Sequence, residues 1–499
     1  MPLKQAILLV LLCVATGAAQ EASGGEGIQA VQSALRARDF SRALELADAQ
    51  LKQHPADPKL WTLQGIALGG LHRDKESLAA YDKALSIAPQ YLPALEGAAG
   101  IEYQAGSPRA IPLLTRILQQ RPNDPTTHAM LAALSYKRHD CPAVAQNYAQ
   151  ASDLISNQAA ALGEYASCLM DLNRSEEAIP VLTRIAALLP GNPLPRYNLA
   201  LAQFEARHAK DAIETLQPLL EGKDADPDVL DLGGLAYEDQ GDTPKAVELL
   251  RQAIVSSPKK ITYYLDFATL SFNHQSFQVG IDMLNVGLKQ LPDAAPLYVA
   301  RGILYIQLTQ YDKGEADFQT ATRLDPRQTS GAVAQGMAQI QQQNLDQALA
   351  TVKDQLKSHS QDAFLYYLKA HILAQKGAEP GSPQFKEAVA AASRATELKP
   401  DFVLARDVLG NLYLKSGQFT LAVEQCRLAL KGNPSDQEAL YHLIQALRQS
   451  GKASHQEMAE LVKRLAALRQ ESRNAEASTN RYKLYEPGSS QSSSPGPPQ

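Results

Sequence analysis

Residues 301–326 read RGILYIQLTQYDKGEADFQTATRLDP, and the spacing of their small, aromatic and proline residues decides the fold. Gly302, Tyr305, Gly314, Phe318 and Pro326 stand at places where similar residues recur along most of the chain. Self-similarity at a fixed period is the signature of a protein built from repeated supersecondary units. The stretch therefore predicts one structural unit of a repetitive chain.

The prolines give the length of the unit. Pro258, Pro292 and Pro326 follow one another at intervals of 34 residues. The step between repeats is longer only where a turn-rich insertion, KGAEPGSPQ, occupies residues 376–384. The frame predicts repeats that start near residues 24, 58, 91, 125, 159, 193, 227, 261, 295, 329, 363, 403 and 437.

Each period holds two amphipathic segments joined by a short turn. A small residue at the eighth place of the first segment, such as Gly302, is followed twelve places later by another, such as Gly314. Small residues at both places let two antiparallel helices approach closely. Proline then ends the second helix, because it lacks a backbone donor and clashes with the preceding turn.

This pattern resembles the tetratricopeptide repeat family. The repeats at 58–91, 227–260, 295–328 and 403–436 are closest to the family signature, and the repeat at 125–158 departs most from it. The resemblance implies an all-α fold, a right-handed superhelical solenoid of about 12–13 stacked antiparallel helix pairs. It also implies a protein that binds other proteins.

Residues 1–19 have the layout of a secretory signal peptide, with one lysine, an apolar core and small residues before the cleavage point. The apolar core is too short for a comfortable membrane span, which needs about 20 residues. We expect cleavage near Ala19 and a periplasmic or secreted protein without a membrane segment, with an uncleaved anchor as the alternative. A lipid anchor on Cys13 is disfavoured, because Leu12 precedes it where lipoproteins carry a small residue.

The rest of the chain divides into three parts. Residues 20–27 are expected to form a flexible leader, and residues 28–474 the solenoid, whose last repeat acts as a cap. Residues 475–499 are rich in Ser, Pro and Gly and predict a disordered tail, since they have little apolar surface to offset the entropy of ordering.

Composition and motifs argue against nucleic-acid binding and catalysis. The 499 residues carry a formal net charge of −5 and no basic stripe, so nucleic acid is a poor partner. The sequence has no HExxH spacing, glycine-rich phosphate loop, nucleophile elbow or CxxC pair. We therefore expect no catalytic residue, metal or cofactor. His128, His139 and Cys141 cluster loosely around a turn, and we interpret them as ordinary helix-end residues.

Three cysteines remain after the signal peptide, so at least one thiol is unpaired. Cys141 opens the second helix of its repeat, and Cys168 lies late in the first helix of the next repeat. These two ends are neighbours in a stacked array of helix pairs. We predict a Cys141–Cys168 disulfide, with two buried thiols as the alternative, and a buried free thiol at Cys426.

Function is expected on the faces of the first helices that packing does not require. Places two, five, nine and twelve turn away from the small-residue contact. In the family that the pattern resembles, this surface lines a concave groove that holds peptides. The predicted groove residues, mostly apolar with a few carboxylates, are Tyr197, Leu201, Phe204, Asp228, Asp231, Glu238, Leu265, Phe272, Val299, Ile303, Ile306, Met337 and Tyr367.

Such a groove would take a protein segment with apolar anchors and nearby Lys or Arg side chains. For Ile303 and Ile306 the alternative is packing against the neighbouring repeat. The family's device for a terminal carboxylate, a lysine at place five with an asparagine at place nine, is absent. Asn411 stands at place nine of its repeat, but place five there holds Asp407, whose charge is opposite to that of lysine.

The leading interpretation is a non-enzymatic, exported scaffold that binds a protein or peptide segment in this groove. A second interpretation is a structural component of a cell-envelope complex that docks through its convex faces or edges. A remote third is an enzyme with a site on the loop 376–384, whose interior ionisable group is Glu379.

Overall fold

Helices account for most of the chain that can be described. The computed structural model describes residues 25–222, 225–451 and 454–479. These ranges contain helices and no β-strand, which confirms the all-α class. The predicted signal peptide at 1–19 and residues 480–499 of the predicted tail lie outside the described residues. None of the described helices is both long enough and apolar enough to cross a bilayer.

The chain divides into two compact units, residues 1–221 and residues 222–499. Helices α1 to α13 of the first unit are Gly25–Arg36, Phe40–Gln53, Pro58–Gly70, Asp74–Ile87, Leu92–Gln104, Ala110–Gln120, Pro125–Tyr136, Cys141–Gln150, Ser152–Ile155, Ala159–Asp171, Ser175–Leu188, Pro193–Glu205 and Ala209–Leu220. Helices α14 to α27 of the second unit are Pro227–Asp239, Thr243–Ser256, Ile261–Asn273, Phe277–Gln290, Ala295–Gln307, Tyr311–Leu324, Ser330–Gln341, Leu345–Ser358, Ala363–Gln375, Pro383–Leu398, Val403–Lys415, Phe419–Gly432, Gln437–Ser450 and His455–Thr479.

The first helix of each pair begins at a predicted repeat start or one residue after it. Local chemistry explains several of these starts. Pro58 and Pro227 occupy the first helical position, where a missing N–H costs nothing and the fixed φ suits a helix. Asp57 and Asp226 precede them, and each carboxylate accepts a backbone N–H of the first turn at 2.8 Å.

Small residues set the contact within a pair, as the opening stretch illustrates. A Cβ on Gly302 of α18 would lie 2.5 Å from the Phe318 ring of α19, so any larger residue would displace the aromatic ring. Gly410 is matched in the same way by Cys426, whose sulfur would lie 2.8 Å from an added Cβ. Burial raises the pKa of the free Cys426 thiol to about 12, as expected for an inert core residue.

Both ends of the helical array differ from the predicted boundaries. Helix α1 begins at Gly25, inside the predicted leader at 20–27, because Ile28 already packs against the first core cluster. Helix α27 continues to Thr479, inside the range 475–499 that was expected to be a disordered tail. Its last turns contain alanine and glutamate and neither proline nor glycine, so nothing local ends the helix earlier.

Candidate functional site

The first helices of the second unit lie side by side. Helix α14 contacts α16, α16 contacts α18, α18 contacts α20, and α20 contacts α22. Outward side chains on these five helices therefore share one face, which we call the first-helix surface. Ten of the thirteen predicted groove residues belong to these helices.

Three of the predicted residues are large apolar side chains left open to solvent. Phe272 on α16 is 40% exposed, Ile303 on α18 is 38% exposed, and Met337 on α20 is 55% exposed. Phe272 is supported from one side by Phe277, with ring centroids 5.8 Å apart in an edge-on arrangement. These three exposed side chains lie on adjacent first helices of three successive repeats, and we call them the apolar stripe.

Ile306 is not part of this stripe, and its assignment to the groove is corrected. It is 4% exposed and packs in a core cluster with Phe318 and Ala338. Its Cδ1 atom lies 2.7 Å from where a Cβ of Gly314 would be. The glycine on α19 thus leaves room for the isoleucine to turn into the helix contact, which was the alternative that the sequence left open.

The other apolar predictions in this unit are partly buried. Leu265 and Val299 are half-buried on α16 and α18. Tyr367 on α22 packs against Phe402 and His371, with ring centroids 5.3 and 5.7 Å away. Burial raises the pKa of Tyr367 above its usual value. These side chains widen the apolar surface but owe much of their position to packing between repeats.

The Glu238 carboxylate is bonded to other residues of the protein. The Thr243 hydroxyl donates a 2.9 Å hydrogen bond to Glu238 Oε2. His274 Nε2 lies 2.6 Å from Glu238 Oε1, and the imidazole is buried. Because the carboxylate joins α14 to α15 and to the end of α16, it is not a free rim charge.

The two other predicted carboxylates of α14, Asp228 and Asp231, lie beside residues of α16 or its N-cap. Tyr263 donates its hydroxyl to Asp228 Oδ1 at 2.6 Å, and Lys260 Nζ lies 3.4 Å from the same oxygen. Asp231 is only 9% exposed, and its Oδ1 has no hydrogen-bond partner among the described residues. Burial, then the neighbouring Asp266, raises the pKa of Asp231 to about 7, and burial also raises that of Asp266. The carboxylates predicted for the groove are therefore largely buried or bonded within the protein.

The other predicted groove residues lie in the first unit. Tyr197, Leu201 and Phe204 are on α12, and each is half-buried there. On the same helix Leu194, which the sequence did not single out, is 59% exposed. This helix thus offers some apolar surface of its own.

The two cysteines predicted to pair are bonded in the structure. Their sulfur atoms are 2.10 Å apart and their Cα atoms 4.8 Å apart, so Cys141 at the start of α8 is tied to Cys168 of α10. The nearby His128 has both ring nitrogens in 2.8 Å hydrogen bonds, with Asn147 Oδ1 and with the Pro122 carbonyl. The described part of the chain has no group of three or more His, Cys, Asp or Glu side chains placed to hold a metal.

Sequence reasoning missed a cavity in the first unit. It has a volume of about 260 Å³ and is bounded mainly by α1, α3 and α5. A smaller cavity of about 100 Å³ adjoins it, and Glu96 and Gly100 line both. The available signal was the pair Gly69 and Gly100, which line the cavity at places where other repeats carry larger side chains, whereas the space beside Gly97 is filled by the Tyr81 ring.

Curated proteins with similar sequences match only parts of this chain. The Hsp70-Hsp90 organizing protein of Triticum aestivum is 27% identical over 236 residues, which cover 45% of this chain and 39% of that protein. A protein SGT1 homolog of Bos taurus is 31% identical over 107 residues, covering 21% and 32% respectively. The chain thus spans well under half the length of these relatives. Among solved structures, yeast Tom70 shares 14% identity at a TM-score of 0.41, covering 94% of this chain and 97% of that one.

Family models give a direct assignment. Models described as tetratricopeptide repeat match residues 28–91, 174–234, 299–363, 382–436 and 408–455. The matched ranges together cover more than half of the 499 residues, and they lie within the array of helix pairs described above. The chain belongs to the tetratricopeptide repeat family.

Proposed function

We propose that the chain is a non-enzymatic, exported scaffold that binds a segment of a partner protein on the first-helix surface of its second unit. The apolar stripe of Phe272, Ile303 and Met337 carries this proposal. Large apolar side chains that stay open to solvent across several repeats are typical of protein-interaction sites. Family membership and the likeness to Hsp70-Hsp90 organizing proteins support a scaffold role.

The surface favours a segment whose apolar side chains provide most of the affinity. Asp231 is buried beside Asp266 and Glu238 is bonded to Thr243, so both contribute little to a ligand. Asp228 keeps about half of its side chain exposed and could meet a Lys or Arg of the partner. We therefore propose an apolar segment, extended or helical, with a basic residue near one end.

A photo-crosslinking amino acid in place of Met337 tests the proposal. Cross-linked peptides from a native extract are sequenced, and the captured segment is synthesised and titrated against the purified protein. The triple variant Phe272→Ala, Ile303→Ala, Met337→Ala should weaken that binding at least about tenfold, because it removes the side chains against which the apolar residues of the segment pack. Circular dichroism checks that helicity is unchanged.

A matched control separates this surface from the second helices. Val255 and Val286 are 79% and 46% exposed on α15 and α17. The variant Val255→Ala, Val286→Ala should leave the titration unchanged. The reverse result, with loss only in this control, would favour the alternative of an assembly component that docks through its other faces.

Export is part of the proposal and rests on two observations. The sequence at 1–19 has the layout of a signal peptide, and a disulfide such as Cys141–Cys168 persists in oxidising compartments. Intact-mass and N-terminal analysis of protein from its native source should show a chain that begins near Gln20. A native chain that retains residues 1–19 would contradict cleavage.

A further inference from the structure

The cavity of the first unit has an apolar interior. Phe40, Ile66, Tyr81, Tyr91 and Ile101 are among the side chains that line it. Its volume of about 260 Å³ far exceeds the space of a single water and is suited to a large side chain. The space remains open at Gly69, where an added Cβ would meet only Ser77 Oγ at 3.4 Å.

Cations surround this interior. Arg36, Arg38 and Lys59 line the cavity, and all three are exposed. None of them has an ion-pair partner among the residues that the structure describes. Three unpaired cations beside apolar walls leave a positive charge that a ligand can neutralise.

The carboxylates of the lining do not cancel this charge. Glu96 Oε1 lies 2.8 Å from Arg121 Nη1, so its charge is already balanced by a cation outside the larger cavity. Asp74 lies in the first turn of α4, where the helix dipole favours its charged form, so it offsets only one of the three cations. The lining is therefore cationic towards an incoming group.

One carboxylate oxygen of Glu96 lacks a hydrogen-bond donor among the described side chains and backbone, and a ligand can supply one. Its Oε2 is buried and has no partner within the described ranges, and burial raises the pKa of this carboxyl. The side chain stands where the two cavities meet. A backbone N–H of a bound chain is a donor of the right kind, and a chain long enough to pass both cavities would bring one.

We infer that the cavity binds an acidic protein segment, which inserts one large apolar side chain and places flanking Asp or Glu carboxylates beside Arg36, Arg38 and Lys59. This site is separate from the first-helix surface of the second unit, and its charge is opposite to that of the carboxylates there. The cavity favours segments that carry a large apolar side chain, and the three cations favour segments with acidic residues beside it.

A peptide library tests the inference on the full chain. Short peptides with blocked termini carry one central Phe, Leu or Trp, with flanks randomised among Asp, Glu, Lys, Gln and Ser. The retained peptides should be enriched in Asp and Glu, and their affinity should fall as salt screens the contacts. Replacing the central residue by Ala, or the acidic flanks by Lys, should weaken binding at least about tenfold.

Matched charge reversals locate the site. The double variant Arg38→Glu, Lys59→Glu should weaken the selected acidic peptides at least about tenfold. Lys52→Glu with Lys83→Glu makes the same change in net charge at exposed places outside the cavity and should have little effect. The triple alanine variant of the apolar stripe should bind these peptides normally, so a failure of the second-unit proposal would be distinguishable.

Several outcomes would overturn the inference. They are the absence of retained peptides, enrichment of Lys in the flanks, or binding that survives the reversal at Arg38 and Lys59. An equal loss in the Lys52 and Lys83 control would mean that only net charge matters. Saturable binding of a fluorescent fatty acid that the peptides cannot displace would assign the cavity to a small amphiphile instead.

Discussion

The same place in the repeat produces opposite surfaces in the two units. Gly69 in the first unit and Phe272 in the second both occupy the twelfth place of a first helix. Gly69 lines a cavity of about 260 Å³, whereas Phe272 projects a ring that is 40% exposed. The repeat frame fixes where helices meet and leaves the outward places free, so one chain can carry a cavity and a stripe on one architecture.

Each unit also contains a link between helices that can be removed by substitution. The first unit contains the Cys141–Cys168 disulfide. The second contains a largely buried ion pair between Arg301 and Asp317. Their guanidinium and carboxylate meet through two hydrogen bonds of 2.8 and 2.7 Å, with side chains 18% and 8% exposed. The four substitutions below alter this contrast, from the largest expected effect to the smallest.

Breaking the buried ion pair should destabilise the second unit most. Asp317→Ala leaves the Arg301 guanidinium buried with Asn285 as its remaining polar partner, at 2.7 Å. Removing one partner of such a pair costs about 3–5 kcal/mol. Native-state hydrogen exchange of peptides from α18 and α19 should show lost protection, because it reports local stability.

An exposed ion pair provides the control for this substitution. Lys357 and Asp354 lie 3.0 Å apart with side chains 78% and 70% exposed. Asp354→Ala should change exchange little, since solvent screens such pairs. If both substitutions had equal effects, burial would not be what makes the Arg301–Asp317 pair important.

Removing the disulfide should be the next largest effect, and it should fall on the first unit. Cys141→Ser with Cys168→Ser opens a link between residues 27 apart in sequence, which contributes about 2–4 kcal/mol through the unfolded chain. The thermal transition of the first unit should shift down in the variant. A reducing agent should cause the same shift in the natural chain and none in the variant. Alkylation of both thiols without reduction would show that the bond does not form.

The sequence predicted the helix pairs because their determinants are local and repeated. Proline at helix ends and small residues at the pair contact act within one repeat, as Gly302 and Phe318 illustrate. The family resemblance rested on the same residues. The predicted ends of the helical array differ from the structure, in which the first helix begins at Gly25 and the last one ends at Thr479. No proline or small-residue contact marks these two ends in the sequence.

The surfaces could be predicted only in part, because they depend on neighbours in other helices. Ile303 is exposed and Ile306 is buried, although both are isoleucines on outward-facing places of one helix. The difference lies in Gly314 on the next helix. Asp231 was predicted to line the groove, but it is 9% exposed and lies beside Asp266 from the following repeat. The cavity needed three helices at once, so no single repeat could reveal it.

Neutralising Asp231 should stabilise the second unit in a way that depends on pH. Its pKa of about 7, against 3.8 for an ordinary Asp, means that the folded chain holds a proton that the unfolded chain loses between about pH 4 and 7. The free energy of unfolding therefore falls as pH rises through this window, and Asp231→Asn should remove that loss. We expect no difference near pH 4 and a gain that grows as the pH rises to 8.

The control for this titration removes a carboxylate that does not act on Asp231. Asp354→Asn removes a charge that is 70% exposed and is not among the groups that raise the pKa of Asp231, so it should not reproduce the gain. Thermal melts of both variants across the pH range make the comparison. A gain from Asp231→Asn that is equal at pH 4 and pH 8 would show that the carboxyl is not protonated in the folded chain.

Filling the cavity should convert the first-unit surface towards the type found in the second. Gly69→Phe places at the twelfth place of α3 the residue that α16 has there, and the ring would occupy the space that an inserted side chain needs. The fold should tolerate it, because the added Cβ meets only Ser77 Oγ and glycine disfavours a helix. Affinity for the selected acidic peptides should fall at least about tenfold, or about 1.4 kcal/mol.

Gly163→Phe is the matched control, since Gly163 lies on a first helix with nothing within 4 Å of an added Cβ and lines neither cavity. Equal affinity for the Gly69 and Gly163 variants would mean that the cations bind these peptides without the cavity. The difference in surface shape between Gly69 and Phe272 would then have no effect on binding.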